Sequence, residues 1–253
     1  MNVSATLRMP ADGVIVPLSG YDVVLKDGPH PIYLERTAEI EANWLAEHAA
    51  NPALFNGRML MHSNVHIDSM GRMASEAHLS PYSTMLWWRK QPDRPKAEHL
   101  FSMAIPITRD GALLAVEMSA HTANPGRIYC AAGSLDQHDL VDGRADLDSN
   151  MVREVREETG LYLGEAVKVS GYFGVRVNRA TVVFRFFQLP YDVDECSSRI
   201  LRHMEDDAEQ EIAGPVFIRD SQIDVQKYPT FMPPIIEMIY GGDAGLAKIW
   251  KQD

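Results

Sequence analysis

The sequence has few cysteines and no excess of basic residues. It contains two cysteines, Cys130 and Cys196, and no Cys-x-x-Cys pair, so both are expected to be reduced thiols in a cytoplasmic protein. Its 24 Lys and Arg against 35 Asp and Glu give a formal net charge of −11. This balance argues against nucleic acid as the main partner, because phosphate-backbone binding requires clustered positive charge. An acidic protein can still bind small phosphates through a metal ion.

Long apolar runs are also absent from the sequence. No segment approaches the roughly 20 apolar residues that are needed to span a bilayer, and residues 1–10 lack a basic start followed by an apolar run. Neither a membrane anchor nor a signal peptide is therefore expected. With 253 residues, of which 45% are hydrophobic, the chain can bury a full core in one large or two small domains.

The most informative stretch is a glutamate-rich segment that stops at a glycine, Arg-Glu-Val-Arg-Glu-Glu-Thr-Gly-Leu at positions 153–161. It predicts the end of a helix that begins near residue 148. Residues three and four apart are neighbours on a helix, so Glu154, Glu157 and Glu158 share one face and repel one another. An all-oxygen set of this kind favours a hard cation, Mg²⁺ with Mn²⁺ as the alternative. The competing interpretation is a charged patch on a solvated surface.

This segment resembles the second half of the signature of the Nudix hydrolases, Arg-Glu-apolar-any-Glu-Glu-any-Gly-apolar, and matches it at every specified position. The first half of that signature requires a glycine, five residues, a glutamate and seven residues before the arginine. Here Ala145 stands at the glutamate position and Asp139 at the glycine position. We interpret this as a lengthened loop that begins at Gly133, with Asp142 or Asp146 in place of the missing glutamate.

The element order agrees with the fold that this resemblance implies. Hydrophobic patterning predicts strands over 14–18, 21–25, 58–67, 100–108, 112–118, 127–132, 167–177, 180–189 and 215–218, and helices over 34–50, 191–204, 233–240 and 244–250. The expected fold is α+β, a Nudix-type α-β-α sandwich with a mixed sheet, preceded by a smaller α/β N-terminal domain. The charged, proline-containing segment 91–96 predicts the boundary between a substrate-side domain, 1–96, and a hydrolase domain, 97–253.

The resemblance also implies roles for the charged residues. Glu154, Glu157 and Glu158 would hold the Mg²⁺, which lowers the pKa of a bound water and stabilises the leaving phosphate. Arg153 would orient these carboxylates by paired hydrogen bonds. Glu154, Glu157 and Arg153, together with a general base, would form the catalytic set. The acidic run 205–211 is the expected source of that base.

Within the acidic run, Glu211 is the first candidate for the general base and Glu209 the second, although such runs also form solvated loops.

Arg176 and Asn178 lie at the end of a strand that follows the glutamate helix. Tyr82 and Phe55 belong to the N-terminal part. Four side chains are thus candidate substrate contacts, each of which also fits a structural role: Arg176, Asn178, Tyr82 and Phe55.

Three further features are expected to be structural. His62 and His66 are four residues apart, but the segment is predicted as a strand, and two histidines without a third ligand are weak evidence for a metal site. The adjacent Trp87 and Trp88 fit a core or an interface. Cys130 fits a small buried residue.

A second resemblance concerns the substrate. Segments 39–44, 51–57 and 80–83 are similar to the N-terminal part of the Nudix branch that hydrolyses UDP-glucose and UDP-galactose. It implies a nucleotide sugar as the small-molecule partner, with UDP-glucose giving UMP and a sugar 1-phosphate. The alternatives are ADP-ribose, a dinucleotide or coenzyme A, or a binding module that has lost catalysis, because Ala145 replaces the motif glutamate. In an enzyme, Glu157→Gln should remove most of kcat, whereas in a binding module it should leave ligand affinity nearly unchanged.

Overall fold

In the computed structural model, which describes residues 9–93, 96–242 and 249, the chain forms two mixed sheets with helices packed against them. The prediction of a mixed α+β fold is confirmed. The strands of the described residues are β1 (Val16–Leu18), β2 (Gly20–Lys26), β3 (Arg58–Ile67), β4 (Arg72–Pro81), β5 (His99–Ile107), β6 (Leu113–Met118), β7 (Ile128–Tyr129), β8 (Leu140–Val141), β9 (Arg144–Ala145), β10 (Val167–Lys168), β11 (Tyr172–Val177), β12 (Ala180–Gln188) and β13 (Ile212–Ile218). The α-helices of the same residues are α1 (Pro31–Glu35), α2 (Thr37–Ala50), α3 (Tyr82–Trp88), α4 (Leu147–Thr159), α5 (Val193–Asp206) and α6 (Met232–Tyr240).

Both sheets combine parallel and antiparallel pairs. Within the described ranges the larger sheet has eight strands in the order β1-β11-β12-β5-β6-β13, with β10 paired to β12 and β7 to β6. Its parallel pair is β5 with β12. The smaller sheet has five strands in the order β3-β4-β2-β9-β8, and β2 runs parallel to β4.

Each of the two predicted domains contributes at least one strand to the sheet that is formed mainly by the other. Strand β1 comes from the N-terminal part of the chain and pairs with β11 in the larger sheet. Conversely, β9 lies just before the glutamate helix in sequence and pairs with β2 in the smaller sheet. The boundary at residue 96 stays a prediction, and residues 94–95 of the segment that suggested it lie outside the described residues.

Helix α4, which carries the glutamates, is defined at both ends by its sequence. Asp146 is the N-cap, where its side chain accepts a hydrogen bond from the Ser149 backbone N–H at 3.1 Å. Gly160 ends the helix at φ 69°, a left-handed conformation that glycine adopts without a steric penalty. Met151 and Val155 are buried in the main core, which fixes the rotation of the helix and so the direction of its glutamates.

Several predicted elements differ from those observed. The predicted strand 127–132 is only two residues long, because the Ala132 backbone N–H bonds to a side chain of α4 instead of continuing a ladder. The predicted strand 167–177 is divided into β10 and β11, with Gly171 at φ 80° between them. The predicted helix 34–50 is divided into α1 and α2 at Arg36. The predicted helix 244–250 lies outside the described residues except for position 249.

The tryptophan pair and the two cysteines are buried. Trp88 is 1% exposed in a cluster with Ile32 and Ile40, and Cys130 and Cys196 are both buried free thiols. None of the helices in the described part of the chain combines the length and the apolarity that a membrane crossing requires.

His62 lies on β3, as the strand prediction requires, and is fully buried. Its Nδ1 atom lies 3.1 Å from the Ser75 hydroxyl oxygen. The pKa of His62 is lowered to about 3, chiefly by burial and also by the nearby His99, His30 and His78. The unfolded chain therefore takes up a proton at this side chain at a higher pH than the folded chain does.

This difference predicts a loss of stability in mild acid. Because the folded pKa lies below the unfolded value, the contribution of His62 is fully present above about pH 6.5 and is lost as the pH falls toward the folded value. Between pH 7 and pH 5 the expected loss in the free energy of unfolding is about 2 kcal/mol. Urea unfolding at the two pH values should show an acid loss that is smaller in His62→Gln than in the wild-type protein by about 2 kcal/mol. Burial and His78 also lower the pKa of His30 to about 4, so its own acid loss remains in both proteins. The control is His66→Gln on the same strand, which should keep the wild-type acid loss; equal losses in His62→Gln and wild type would contradict the prediction.

Candidate active site

Two of the three glutamates of α4 turn inward together. Glu154 and Glu158 are one helical turn apart and are 7% and 4% exposed. Glu157 points to solvent, with 58% of its side chain exposed, and pairs with Arg153 at 2.9 Å. The three carboxylates share a helix as the sequence predicts, but the inward-facing set consists of Glu154 and Glu158.

The loop at residues 132–134 covers both inward carboxylates. The Ala132 backbone N–H donates a hydrogen bond to Glu158 Oε1 at 3.1 Å. A Cβ atom added to Gly133 would lie 2.4 to 2.5 Å from the carboxyl atoms of Glu154, which is closer than real Cβ contacts allow. A side chain at this position would displace the Glu154 carboxyl group, because the backbone passes directly over it.

Asp139, in the acidic loop before α4, is in contact with the motif arginine, Arg153. Both Asp139 carboxylate oxygens accept from Arg153 Nη2 at 3.1 Å, and the side chain is 2% exposed. Asp142 instead lies exposed in the β8–β9 turn at φ 49°, and Asp146 caps α4. The role of Asp142 or Asp146 in place of the missing motif glutamate stays a prediction. A 3₁₀ turn at 137–139 turns the loop back onto α4, so that Asp139 reaches Arg153.

The Arg153 guanidinium holds several carboxylates at once. It pairs with Glu154 at 2.9 Å and with Glu157 at 2.9 Å, in addition to Asp139. Asn150 donates to Asp139 at 3.1 Å, and the Asp136 backbone N–H donates to it at 2.9 Å. The carboxylate of Asp139 thus receives only donors, an arrangement that requires its negative charge.

This arrangement predicts a large difference between two similar substitutions. In Asp139→Asn an amide N–H₂ would face donors, and Arg153 would lose a buried counter-charge, so we expect a loss of about 2–4 kcal/mol in the free energy of unfolding. The matched control, Asp142→Asn, should change it by less than about 0.5 kcal/mol, because asparagine tolerates the left-handed backbone at an exposed turn. Urea unfolding measures both values. The assignment of Asp139 fails if the two variants are equally stable.

The two buried carboxyl groups have raised pKa values. Burial raises the pKa of Glu154 to about 8, and Glu157, Asp139 and Glu211 add to this effect while Arg153 opposes it. Burial also raises the pKa of Glu158 well above its ordinary value, with Glu154 and Glu211 adding to the shift. Two buried carboxyl groups that disfavour each other's charge are a site where a cation would be stabilising.

The donor set fits a hard cation in its chemistry. Glu158 Oε2 is buried and has no hydrogen-bond partner among the residues that the structure describes, so it is available as a ligand. Glu154 supplies a second carboxylate on the same face. Within residues 9–93, 96–242 and 249, no three His, Cys, Asp or Glu side chains are arranged to hold a metal ion as they stand. Glu154 and Glu158 are thus the residues that could hold Mg²⁺, and completing a ligand set requires water, substrate or a side-chain movement.

Glu211, the predicted general base, lies close to this pair. It immediately precedes β13, and its backbone oxygen accepts from the Ser119 N–H at 2.8 Å. Partial burial raises the pKa of its carboxyl group, and Glu209, Asp207 and Glu157 raise it further. Glu211 in turn contributes to the raised pKa values of Glu154 and Glu158. The structure therefore brings Glu211 into electrostatic reach of both buried carboxyl groups.

Two adjoining cavities open beside the loop at 132–134. One of about 340 Å³ is lined by aromatic residues and by Ala132, Gly133 and Asn178. The other, of about 320 Å³, is lined by Phe55, Glu211 and polar side chains. Tyr82 and Ser134 line both cavities, so the loop that covers the carboxylates also separates the two spaces.

The predicted substrate contacts fall into two groups. Tyr82, Phe55 and Asn178 line the cavities. Arg176 instead forms an ion pair with the largely buried Glu98 at 2.7 Å, which gives it a structural role in this structure. A third, open cavity of about 660 Å³ runs along the solvent face of α4 and includes Arg153 and Glu157.

Sequence patterns alone missed several residues of the site. Arg89 lines the aromatic cavity, and His121 and Asp136 line the polar one. None of these belongs to a motif, and they meet only through the pairing of distant segments. Asp139 had a weak signal, namely its place in an acidic loop before the glutamate helix, but its contact with Arg153 depends on the turn of that loop.

The fold and the site together define a mixed α+β protein with a buried pair of carboxylates beside a divided cavity. No protein-family model matches the chain, and no curated protein is similar to it. Among solved structures, the MutT protein of Methanosarcina mazei Go1 is 17% identical, with a TM-score of 0.35 over 55% of this chain and 91% of that chain. A C. elegans Ap4A hydrolase binary complex is 12% identical, with a TM-score of 0.35 over 50% of this chain and 84% of that one. A putative nudix hydrolase family member from Chromobacterium violaceum is 16% identical, with a TM-score of 0.34 over 56% and 78% of the two chains.

Proposed function

We propose that the protein is a Mg²⁺-dependent hydrolase of the Nudix type that cleaves a nucleoside diphosphate linked to another group. The preferred substrate is a nucleotide sugar such as UDP-glucose, which gives UMP and glucose 1-phosphate. One observation carries this proposal: Glu154 and Glu158, which belong to the motif at 153–161, are buried together under residues 132–134 beside two cavities.

The reaction is a displacement at phosphorus by water. The water oxygen forms a new bond to one phosphorus, the bond from that phosphorus to the bridging oxygen breaks, and the bridging oxygen leaves on the other phosphate. When bound, the metal ion neutralises the diphosphate and lowers the pKa of water. Arg153, fixed by Asp139, holds Glu154 in place.

Glu211 would accept the proton that the attacking water loses. Its raised pKa brings it closer to neutral pH, where a general base is most effective. Phosphoryl transfer depends mainly on positioning and charge neutralisation, and both are properties that a fixed set of carboxylates beside a cavity can supply.

A nucleotide sugar is favoured by the position of the N-terminal segments. Segments 51–57 and 80–83, which resemble the UDP-sugar branch in sequence, contribute Phe55, Gly57 and Tyr82 to the same cavity. Two segments that are distant in sequence thus meet beside Glu211, where the group attached to the nucleotide would lie. This placement supports a substrate with a second bulky group.

The test is a substrate panel followed by ³¹P NMR. Purified protein would be incubated with millimolar UDP-glucose, ADP-ribose, a dinucleoside polyphosphate or coenzyme A, each with and without Mg²⁺. The proposal expects UMP and glucose 1-phosphate in equal amounts from UDP-glucose, and only with Mg²⁺. Faster cleavage of another compound in the panel would identify a different substrate but support the same reaction. If no compound gives a metal-dependent product, the proposal of an enzyme is rejected and the alternative of a binding module is favoured.

A further inference from the structure

We infer that the two cavities bind the two ends of one substrate. The aromatic compartment, the cavity lined by Trp88, Phe101, Tyr129 and Phe231, takes the nucleobase. The polar compartment, the cavity lined by Phe55, Arg58, His121, Asp136 and Glu211, takes a hydroxyl-rich group. The diphosphate crosses between them at residues 132–134. This inference rests on the proposed function in one respect, namely that the substrate is a nucleoside diphosphate derivative.

The aromatic compartment has the walls that a planar ring requires. Phe101 and Phe231 meet edge to face at 5.4 Å between ring centroids, and Tyr129 meets Phe231 at 6.3 Å. His99 stacks on Phe101 at 4.9 Å. A base that stacks on such rings gains contact area irrespective of its hydrogen-bonding pattern. The volume of about 340 Å³ lies at the lower end of ordinary ligand pockets, roughly 300–1,000 Å³.

Polar groups at the rim of this compartment can read the edge of a base. Arg89 lines it as a donor, and Asn124 and Asn178 add amides that both donate and accept. A few polar groups on a mainly aromatic wall fix the orientation of a ligand and provide specificity. The compartment therefore suits a heteroaromatic ring better than a sugar.

Charged side chains distinguish the polar compartment from the aromatic one, although Leu54 and Met59 also line it. Asp136 and Glu211 are carboxylates that accept hydrogen bonds from hydroxyl groups, and Arg58 and His121 can donate to hydroxyl oxygens. Phe55 is 83% exposed and its ring lies against Gly57, where an added Cβ would come within 3.1 Å of it. An exposed aromatic ring surrounded by charged groups suits a ligand with one apolar face and many hydroxyls, such as a hexose.

The junction between the compartments lies over the buried carboxylates. Ser134 and Tyr82 line both spaces, while Ala132 and Gly133 line the aromatic one. Ala132 is hydrogen-bonded to Glu158, and Gly133 lies against Glu154. A linker that joins a base in one compartment to a sugar in the other therefore passes beside the residues that could hold the cation.

The test compares how each compartment responds to each end of the substrate. The substrates are UDP-glucose, ADP-glucose and the methyl ester of UDP, which lacks the sugar. Phe55→Ala should reduce kcat/KM for UDP-glucose about 10-fold more than kcat/KM for the methyl ester. The ratio of kcat/KM for UDP-glucose to kcat/KM for ADP-glucose should stay constant. Phe231→Leu should change the ratio of kcat/KM for UDP-glucose to kcat/KM for ADP-glucose about 10-fold. It should reduce kcat/KM for UDP-glucose and for the methyl ester by the same factor.

The control variant is Leu45→Ala on α2, an apolar side chain that is 70% exposed and lies outside both cavities' lining. It should leave all the ratios unchanged. The inference is overturned if Phe55→Ala affects the methyl ester as strongly as UDP-glucose, or if Phe231→Leu leaves the base ratio unchanged.

Binding measurements separate this inference from the proposed function. If the wild-type protein hydrolyses none of the substrates, calorimetry with UMP and with glucose 1-phosphate replaces the kinetic ratios. UMP affinity reduced about 10-fold by Phe231→Leu, with glucose 1-phosphate affinity reduced by Phe55→Ala, would support two compartments in a protein that lacks the proposed activity. UMP that does not bind, or that binds the Phe231→Leu variant as tightly as wild type, would overturn the inference.

Discussion

Glu158→Gln is expected to reduce kcat about 10³-fold without reducing stability. The amide can still accept the Ala132 N–H at Oε1, so the loop should remain in place. The variant loses the negative charge that would hold the cation, which explains the expected loss of activity. It also removes the repulsion by Glu154 and Glu211 that disfavours a charged Glu158, so stability should not fall. Steady-state kinetics and urea unfolding of the same preparation give the two values.

The matched control for this variant is Glu205→Gln in the last turn of α5, an exposed glutamate of the acidic run. It should keep both the activity and the stability of the wild-type protein. If Glu158→Gln retains more than about a tenth of wild-type kcat, then Glu158 serves the fold and not the reaction.

Gly133→Ala is expected to have the second-largest effect, a loss of about 10²-fold or more in kcat/KM. The new methyl group would lie 2.4 to 2.5 Å from the carboxyl atoms of Glu154. Since the carboxyl group is the end of a flexible side chain, it can move aside at a small cost in stability, but it then leaves the position in which Arg153 holds it. The expected result is therefore an inactive protein that still folds.

Gly214→Ala provides the control for the glycine substitution, because a Cβ at that position would meet no atom within 4 Å. Kinetics and urea unfolding of both alanine variants would be compared with wild type. Equal activity of Gly133→Ala and Gly214→Ala would show that the position of the Glu154 carboxyl group does not matter for the reaction.

The sequence predicted best what local patterning determines. The strand at 58–67, the two strands over 100–108 and 112–118, and the helix of the glutamates appear close to their predicted positions. Alternation, helical spacing and the Asp-Gly pair between the two strands are local signals. The motif also predicted Glu154, Glu157 and Glu158 together on one face of that helix. It did not indicate that Glu157 faces solvent, since that depends on the burial of Met151 and Val155 against the sheet.

The parts that the sequence could not predict depend on contacts between distant segments. Asp139 contacts Arg153 because of a turn within an irregular acidic loop, and no local pattern in that loop indicates the contact. Tyr82 and Ser134 meet only after β4, α3 and the loop of the larger sheet have packed together. Arg176, a candidate for substrate binding, pairs with Glu98, and no local pattern predicts an ion pair between residues 78 positions apart.

The most direct test of the account is the binding of Mn²⁺, followed by electron paramagnetic resonance in the presence of UMP. The wild-type protein should bind at least one Mn²⁺ ion per chain, and the double variant Glu154→Gln with Glu158→Gln should bind none, while circular dichroism shows that both are folded. Equal Mn²⁺ binding by the two proteins, or no binding by the wild type, would contradict the claim that these two carboxylates hold the ion.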